Sequence, residues 1–146
     1  MHNGKKIVVV MPAYNAEKTI ERTYLVVIAQ EIVDLVVIVD DSSSDNTVQI
    51  ANEFDDTIVH QHESNKGYGG NQKTCYRIAL DSQADIVIMV HPDYQYTPKL
   101  IPAMASMIGN GLYDAVLGSR ILGGYALSGG MPWWKYVANR GLTFFQ

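Results

Sequence analysis

Short apolar runs alternate with longer segments of mixed polarity along this chain. Residues 7–11, 35–39, 57–60, 85–90 and 114–118 are brief, largely β-branched stretches. Residues 16–30, 45–54, 70–80 and 97–108 carry the mixed patterning of helices. Asn15 is placed to cap the first helix, and Asp45 or Asn46 to open the second. A glycine-rich loop leads into the third. Thr97-Pro98 opens the fourth, with proline in its first turn. Pro12 is expected to close the first strand. The runs are continuous rather than alternating, the pattern of strands covered on both faces of a parallel sheet. The predicted fold is therefore α/β and Rossmann-like: a mostly parallel sheet flanked by helices.

The last stretch reads differently. Gly123-Gly124 and Gly129-Gly130 bracket a loop, and residues 131–145 form an aromatic-rich amphipathic segment. The apolar pattern still runs at Gln146 without a helix-stop signal, so a C-terminally truncated domain is expected.

At 146 residues the chain is long enough for one domain with a real core. Apolar residues make up 47% and charged residues 18%, an ordinary globular balance. The net charge of −4 argues against a nucleic-acid surface, which needs clustered Lys and Arg. Lys5-Lys6 is the only adjacent basic pair and reads as a solvated edge. The single cysteine, Cys75, excludes an internal disulfide framework and a cysteine-based zinc site. It reads as a small buried thiol on a helix. The apolar run at 7–11 is too short for a signal-peptide core, and no stretch approaches the roughly 20 apolar residues of a membrane span. A soluble or peripheral protein is expected.

The candidate chemistry sits just past the strand ends, where open α/β sheets bind their ligands. After residues 85–90 come His91, Asp93 and Gln95. On an extended backbone their alternation turns all three to one side. Imidazole, carboxylate and amide oxygen suit Mn²⁺ or Mg²⁺, and such a cation offsets the chain's acidity toward a diphosphate. The plainer reading is that His91 and Asp93 cap the helix near Thr97. After the first strand, Tyr14 is positioned to stack on a base or ribose, or simply to half-bury in an ordinary turn. Adjacent carboxylates at Asp40 and Asp41 repel unless they meet donors or a cation. One suits a base N–H and the other ribose hydroxyls, whereas Asp45 reads as a helix cap. Gly67, in the loop at 65–71, permits close approach to a ligand, and the following helix offers N–H groups to an anion. A plain loop is the alternative there. This loop is not the dinucleotide fingerprint, because its spacing and position differ. Arg120, after the last run, reaches either a phosphate or solvent.

Five stretches occur in a familiar order. They are Val10-Met11-Pro12-Ala13-Tyr14-Asn15, Ile38-Val39-Asp40-Asp41-Ser42-Ser43 with Asp45-Asn46-Thr47, Asn65-Lys66-Gly67-Tyr68-Gly69, His91-Pro92-Asp93-Tyr94-Gln95 and Gly118-Ser119-Arg120. The ordered set resembles the family 2 glycosyltransferases with the GT-A fold, in particular the dolichyl-phosphate mannosyltransferase-like and polyprenyl-phosphate sugar transferases. The resemblance implies a nucleotide-sugar core over residues 1–120 and the start of an acceptor- or membrane-side segment over 121–146. It implies a donor site with Pro12, Tyr14, Asp40 and Asp41 around the nucleoside, Gly67 in the donor-side loop and Arg120 on phosphate. Asp93 and Gln95 match the family's metal-binding pattern, with His91 in place of its usual first Asp. Asp93 and Arg120 are the implied catalytic residues, and Mn²⁺ or Mg²⁺ the implied cofactor. Ala16 stands where many relatives carry Glu, which leaves GDP against UDP open.

The implied reaction moves a hexose, with inversion, from a nucleotide diphosphate sugar to a polyprenyl phosphate. The implied location is cytoplasmic, at the inner face of the membrane, with residues 131–146 touching lipid. A hydroxyl acceptor needs a carboxylate base, and residues 121–146 contain no Asp or Glu. A phosphate acceptor needs none. Transfer to a polysaccharide or other hydroxyl acceptor is the second reading. A non-catalytic nucleotide-sugar-binding module is the third. A nucleotidyltransferase fits less well, lacking a glycine-rich basic loop after the first strand.

Overall fold

The structure is a computed structural model that describes residues 4–93, 96–119, 132–135 and 137–138. The chain divides into two compact units, Met1–Val116 and Leu117–Gln146. Within the first, four parallel strands form a sheet: β1 (Ile7–Ala13), β2 (Leu35–Asp40), β3 (Thr57–Gln61) and β4 (Ile86–Met89). Their order is β3-β2-β1-β4. Helices α1 (Ile20–Ile28), α2 (Thr47–Ala51), α3 (Gly67–Asp81) and α4 (Ile101–Gly109) connect or follow them, with a single 3₁₀ turn at Pro98–Leu100.

The period-2 alternation of side chains along each strand sorts the core into two layers. Ile7, Val9, Met11 and Ala13 of β1 pack with Val36 and Ile38, and with Ile20, Tyr24 and Val27 of α1, Ala51 of α2, and Ile101 and Ala105 of α4. Val8 and Val10 pack on the other face with Val37, Val39, Cys75 and Ala79. The sheet is thus sandwiched between helices, and β1 is buried along its whole length. That burial explains the unbroken apolar runs. Burial also pushes the Cys75 thiol up to about 12, so it stays an inert thiol.

Strand β1 does not stop at Pro12. It continues to Ala13, and Pro12 pairs with Val39 of β2. Proline survives in this central strand because of where its nitrogen points. Residues of β1 turn their polar backbone atoms alternately to β2 and to β4. The Asp41 N–H donates to the Ala13 carbonyl, and the Val90 N–H donates to the Val10 carbonyl. Pro12 therefore turns its nitrogen toward β4, whose ladder with β1 ends at the Val10–Met89 pair. The absent N–H falls beyond that ladder and removes no bond from it.

Other boundaries also shift. Asn15 does not cap α1. It takes a left-handed φ of 50°, and its side-chain oxygen accepts from the Ser44 N–H at 2.9 Å. Helix α1 starts only at Ile20, after a turn in which the Ala16 carbonyl accepts from the Thr19 and Ile20 N–H groups. Helix α3 starts earlier than expected, at Gly67. The run at 114–118 forms no strand. Its composition suits one, but neither sheet edge, β3 nor β4, pairs with it among the described residues. Lys6 is more than a solvated edge, because its ammonium donates to the Ser82 carbonyl at 2.7 Å.

One buried amide ties α3 to the sheet. The Asn71 side-chain N–H group donates to the Val39 carbonyl at 2.9 Å and the Ala13 carbonyl at 3.3 Å, bridging the ends of β1 and β2. Replacing Asn71 with Leu removes the donor and leaves the Val39 carbonyl without it. Urea unfolding is expected to show a loss of about 1–3 kcal/mol; an unchanged midpoint would mean that the bridge contributes nothing.

Candidate active site

All four strands point their carbonyl ends the same way, so the loops after them share one rim. Strand order reverses between β1 and β4, which places the switch point of the sheet between the loops that leave Ala13 and Met89.

The loops after β1 and β2 are stitched together by side chains. The Ser43 hydroxyl donates to Asp40 and accepts from the Asn15 N–H at 2.8 Å. The Ala16 N–H donates to the Thr47 hydroxyl at 2.8 Å, and the Glu17 N–H donates to Asp45 at 3.1 Å. Glu17 in turn accepts from the backbone and side chain of Asn46, each at 3.2 Å. Asp45 stands one residue before Asn46, the N-cap of α2, accepts from the Thr47 N–H at 3.1 Å, and also holds the neighbouring loop. Burial raises its carboxyl, but hydrogen bonds from Thr47 and from the Glu17 N–H outweigh that and keep it below the ordinary carboxylate value.

Asp40 and Asp41 do not stand at the surface as free acceptors. Asp40 is fully buried, and its two oxygens take the Ser43 N–H and the Ser43 hydroxyl. This bracing closes a turn in which Ser42 takes a left-handed φ of 65°. Asp41 is also buried. One of its oxygens accepts from the Lys66 N–H at 2.8 Å and meets Nδ1 of His62 at 2.9 Å. The far nitrogen of that ring lies 3.0 Å from the Thr74 hydroxyl on α3. Both carboxylates, expected to meet base and ribose, accept from internal donors here. Two adjacent acids at a strand end need donors, and here the protein supplies them. Burial pushes Asp41 up, but the Lys66 and His62 hydrogen bonds, the attraction of the His62 ring and the Gly67 N–H together hold it below the ordinary value.

Pro12 is buried in β1, whereas Tyr14 is 57% exposed at the rim and available to a ligand. Gly67 takes φ +74°, a value that a side chain would strain, and its N–H is held by the Asn65 side chain at 2.9 Å. Gly70 is confined too, since a Cβ there would come within 2.8 Å of the Lys66 Cβ.

Past β4 the chain does not stay extended. It turns at Pro92 and Asp93, and the Pro92 carbonyl accepts from the buried Thr23 hydroxyl of α1 at 3.1 Å. Backbone alternation is therefore not what groups the candidate ligands. His91 is half-buried, and its Nε2 lies 3.0 Å from the Tyr68 hydroxyl, with the two rings stacked at 5.5 Å. Asp93 is exposed, and its charge reaches Tyr68. Gln95 and Arg120 lie outside the described residues. Among the described residues no three His, Cys, Asp or Glu side chains gather as a metal cluster. The donor chemistry of His91 and Asp93 nevertheless fits a divalent cation, through an imidazole nitrogen and a carboxylate.

His62 and Asn71 were not singled out by sequence. His62 follows β3 with no motif around it. Only the β2–β3 register, with Asp40 opposite Gln61, sets it beside Asp41.

The family model for glycosyl transferase family 2 matches residues 8–141. The chain belongs to this family. Among its relatives is an uncharacterised protein of Methanocaldococcus jannaschii, 36% identical over 97% of this chain and 57% of that protein. Another is the UDP-N-acetylglucosamine–dolichyl-phosphate N-acetylglucosaminyltransferase of Methanococcus voltae, 33% identical over 96% of this chain and 61% of that protein. The chain thus spans about six-tenths of the length of these family members. Its fold is GT-A. A solved neighbour is glucosyl-3-phosphoglycerate synthase from Mycobacterium tuberculosis in complex with Mn²⁺, UDP and glucosyl-3-phosphoglycerate. The two share a TM-score of 0.57 and 26% identity, over 72% of this chain and 40% of the other.

The Asp41 clamp has a pH signature. Its folded pKa lies below the unfolded value of about 3.9. The stabilisation is present above that value and is lost as pH falls through the folded pKa. Asp41→Asn should therefore be less stable than wild type at neutral pH, with the gap narrowing below about pH 4. Urea midpoints across that range check this, and a gap independent of pH would contradict it.

Proposed function

We propose that this domain transfers a hexose, with inversion, from a nucleotide diphosphate sugar to a polyprenyl phosphate of the dolichyl type, assisted by Mn²⁺ or Mg²⁺. The carrying observation is the layout of the rim. Exposed Tyr14 and the His91–Asp93 loop flank the point where strand order reverses, while Asp40, Asp41 and Asp45 are committed to internal donors. Tyr14 offers a stacking face to the nucleoside. Backbone positions held by the loop stitching shape its surroundings. His91 and Asp93 would hold the cation, which supplies positive charge beside the leaving diphosphate. Arg120 is assigned to the phosphates and Gln95 to the cation on the family pattern.

The engagement of Asp40, Asp41 and Asp45 with internal donors supports this choice of acceptor. A hydroxyl nucleophile needs a carboxylate free to take its proton. A lipid phosphate is already an anion. The Methanococcus voltae relative, by its name a dolichyl-phosphate transferase, supports the same choice. Residues 131–146 are assigned to lipid contact at the inner face of the membrane. Trp133 and Trp134 lie in the second unit, with the Lys135 ammonium 5.5 Å from the Trp134 ring centroid. Aromatic rings with a neighbouring cation suit the headgroup level. No helix among the described residues is long and apolar enough to cross a membrane.

A thermal-shift panel of UDP- and GDP-sugars, each with and without Mn²⁺, tests the donor half. The matching donor at 100 times its Kd adds about 2.7 kcal/mol. Asp93→Ala should abolish the Mn²⁺-dependent part of that gain; full retention would remove Asp93 from the site. Offering dolichyl phosphate against sugar acceptors tests the other half. Product on sugars alone favours the hydroxyl-acceptor reading, and tight binding without any transfer favours a non-catalytic module. Liposome flotation with and without residues 131–146 tests the lipid contact, and equal flotation would rule it out.

A further inference from the structure

Tyr68 opens α3 from the glycine loop, yet its hydroxyl reaches across to the loop after β4. That oxygen lies 3.0 Å from Nε2 of His91 and 3.8 Å from the Met89 sulfur. The Gln72 side-chain N–H group donates to it and also to the Met89 sulfur. Three partners thus converge on one exposed phenol. Its proton has two destinations, the imidazole or the sulfur.

We propose that Tyr68 is a positioning residue that selects Nδ1 of His91 as the ring nitrogen offered to a divalent cation. This rests on the metal-assisted reading above. A histidine ligand binds metal through one nitrogen and donates the other N–H to a partner that fixes its tautomer and its ring plane. Here Nε2 already faces a partner, so Nδ1 is left for the metal. In the ligating tautomer Nε2–H donates to the Tyr68 oxygen. The phenol proton then turns to the Met89 sulfur, a weak acceptor. Without a cation, the phenol donates to Nε2 and Nδ1 carries the ring proton. Tyr68 accommodates both forms because a hydroxyl both donates and accepts. Stacking of the two rings holds the plane in either case. A carboxylate at position 91 has no tautomer to select and gains nothing from this partner.

The test measures Mn²⁺ affinity directly, by electron paramagnetic resonance of the free ion, with UDP present. Tyr68→Phe keeps the stacking and loses only the hydroxyl at an exposed position, so folding is not threatened. Its Mn²⁺ affinity is expected to fall about 10-fold or more, with metal-free UDP affinity unchanged. In a His91→Asp background the same Tyr68→Phe change should alter Mn²⁺ affinity by less than about twofold. Equal loss in both backgrounds, or no loss in either, overturns the proposal while leaving the metal site standing. If wild type itself binds no Mn²⁺ with UDP, the metal-assisted reading falls and this role falls with it. Nitrogen NMR of the Mg²⁺-loaded wild type supplies a second readout. The Nε2–H tautomer of His91 is expected, and the Nδ1–H tautomer would refute the assignment.

Discussion

The rim depends on a buried carboxylate that the protein satisfies from within. Asp41 leaves the end of β2 and gathers an imidazole from the end of β3 and an N–H from the loop entering α3. An ionised group taken out of water is costly unless donors replace its hydration. The arrangement is therefore nearly all-or-none. With the donors in place, the end of β2 is pinned to the stretch that runs from the end of β3 into α3, more than twenty residues further on. Without any one of them, a buried charge is left short of partners.

The same logic extends along the rim. Asp40 works through Ser43 on the loop after β1, Asp45 works through Thr47 and Glu17, and Asn71 reaches two strand ends from below. Among the described residues, no buried side-chain nitrogen or oxygen lacks a partner. Such a network keeps irregular backbone in one shape, even where Asn15 and Ser42 adopt left-handed φ values. Preorganisation of this kind lowers the ordering cost of binding any ligand at the rim. The loops are already in place and little order must be acquired on binding.

The strands and layers were legible in the sequence because doubly covered strands leave an unbroken apolar record. Cys75 and Asp45 were legible for similar local reasons, burial on a helix face and proximity to a helix start. Helix boundaries were not, because the Asn15 side chain serves the neighbouring loop instead of capping α1, and Asp45 serves both its own segment and the neighbouring loop. A cap looks the same in sequence whether it bonds its own helix or another segment. The run at 114–118 shows the limit of composition, since a strand forms only where the chain brings it alongside a partner edge. The pair Asp40-Asp41 was recognised as needing donors, but whether those came from a ligand or from His62 and Ser43 was decided by strand register. His91 and Tyr68 lie 23 positions apart. Their contact exists only because α3 returns the chain across the sheet to β4.

Pro12 also forbids a bond. In register, the next rung between β1 and β4 would run from the nitrogen of residue 12 to the carbonyl of Val90, and proline has no hydrogen to give. Strands β1 and β4 part company there, whatever the loops above are doing. An ordinary residue would let the seam creep upward and draw the β4 loop against its neighbour. The missing hydrogen acts as a doorstop: the ladder between β1 and β4 cannot be extended past Val10 and Met89 through that residue.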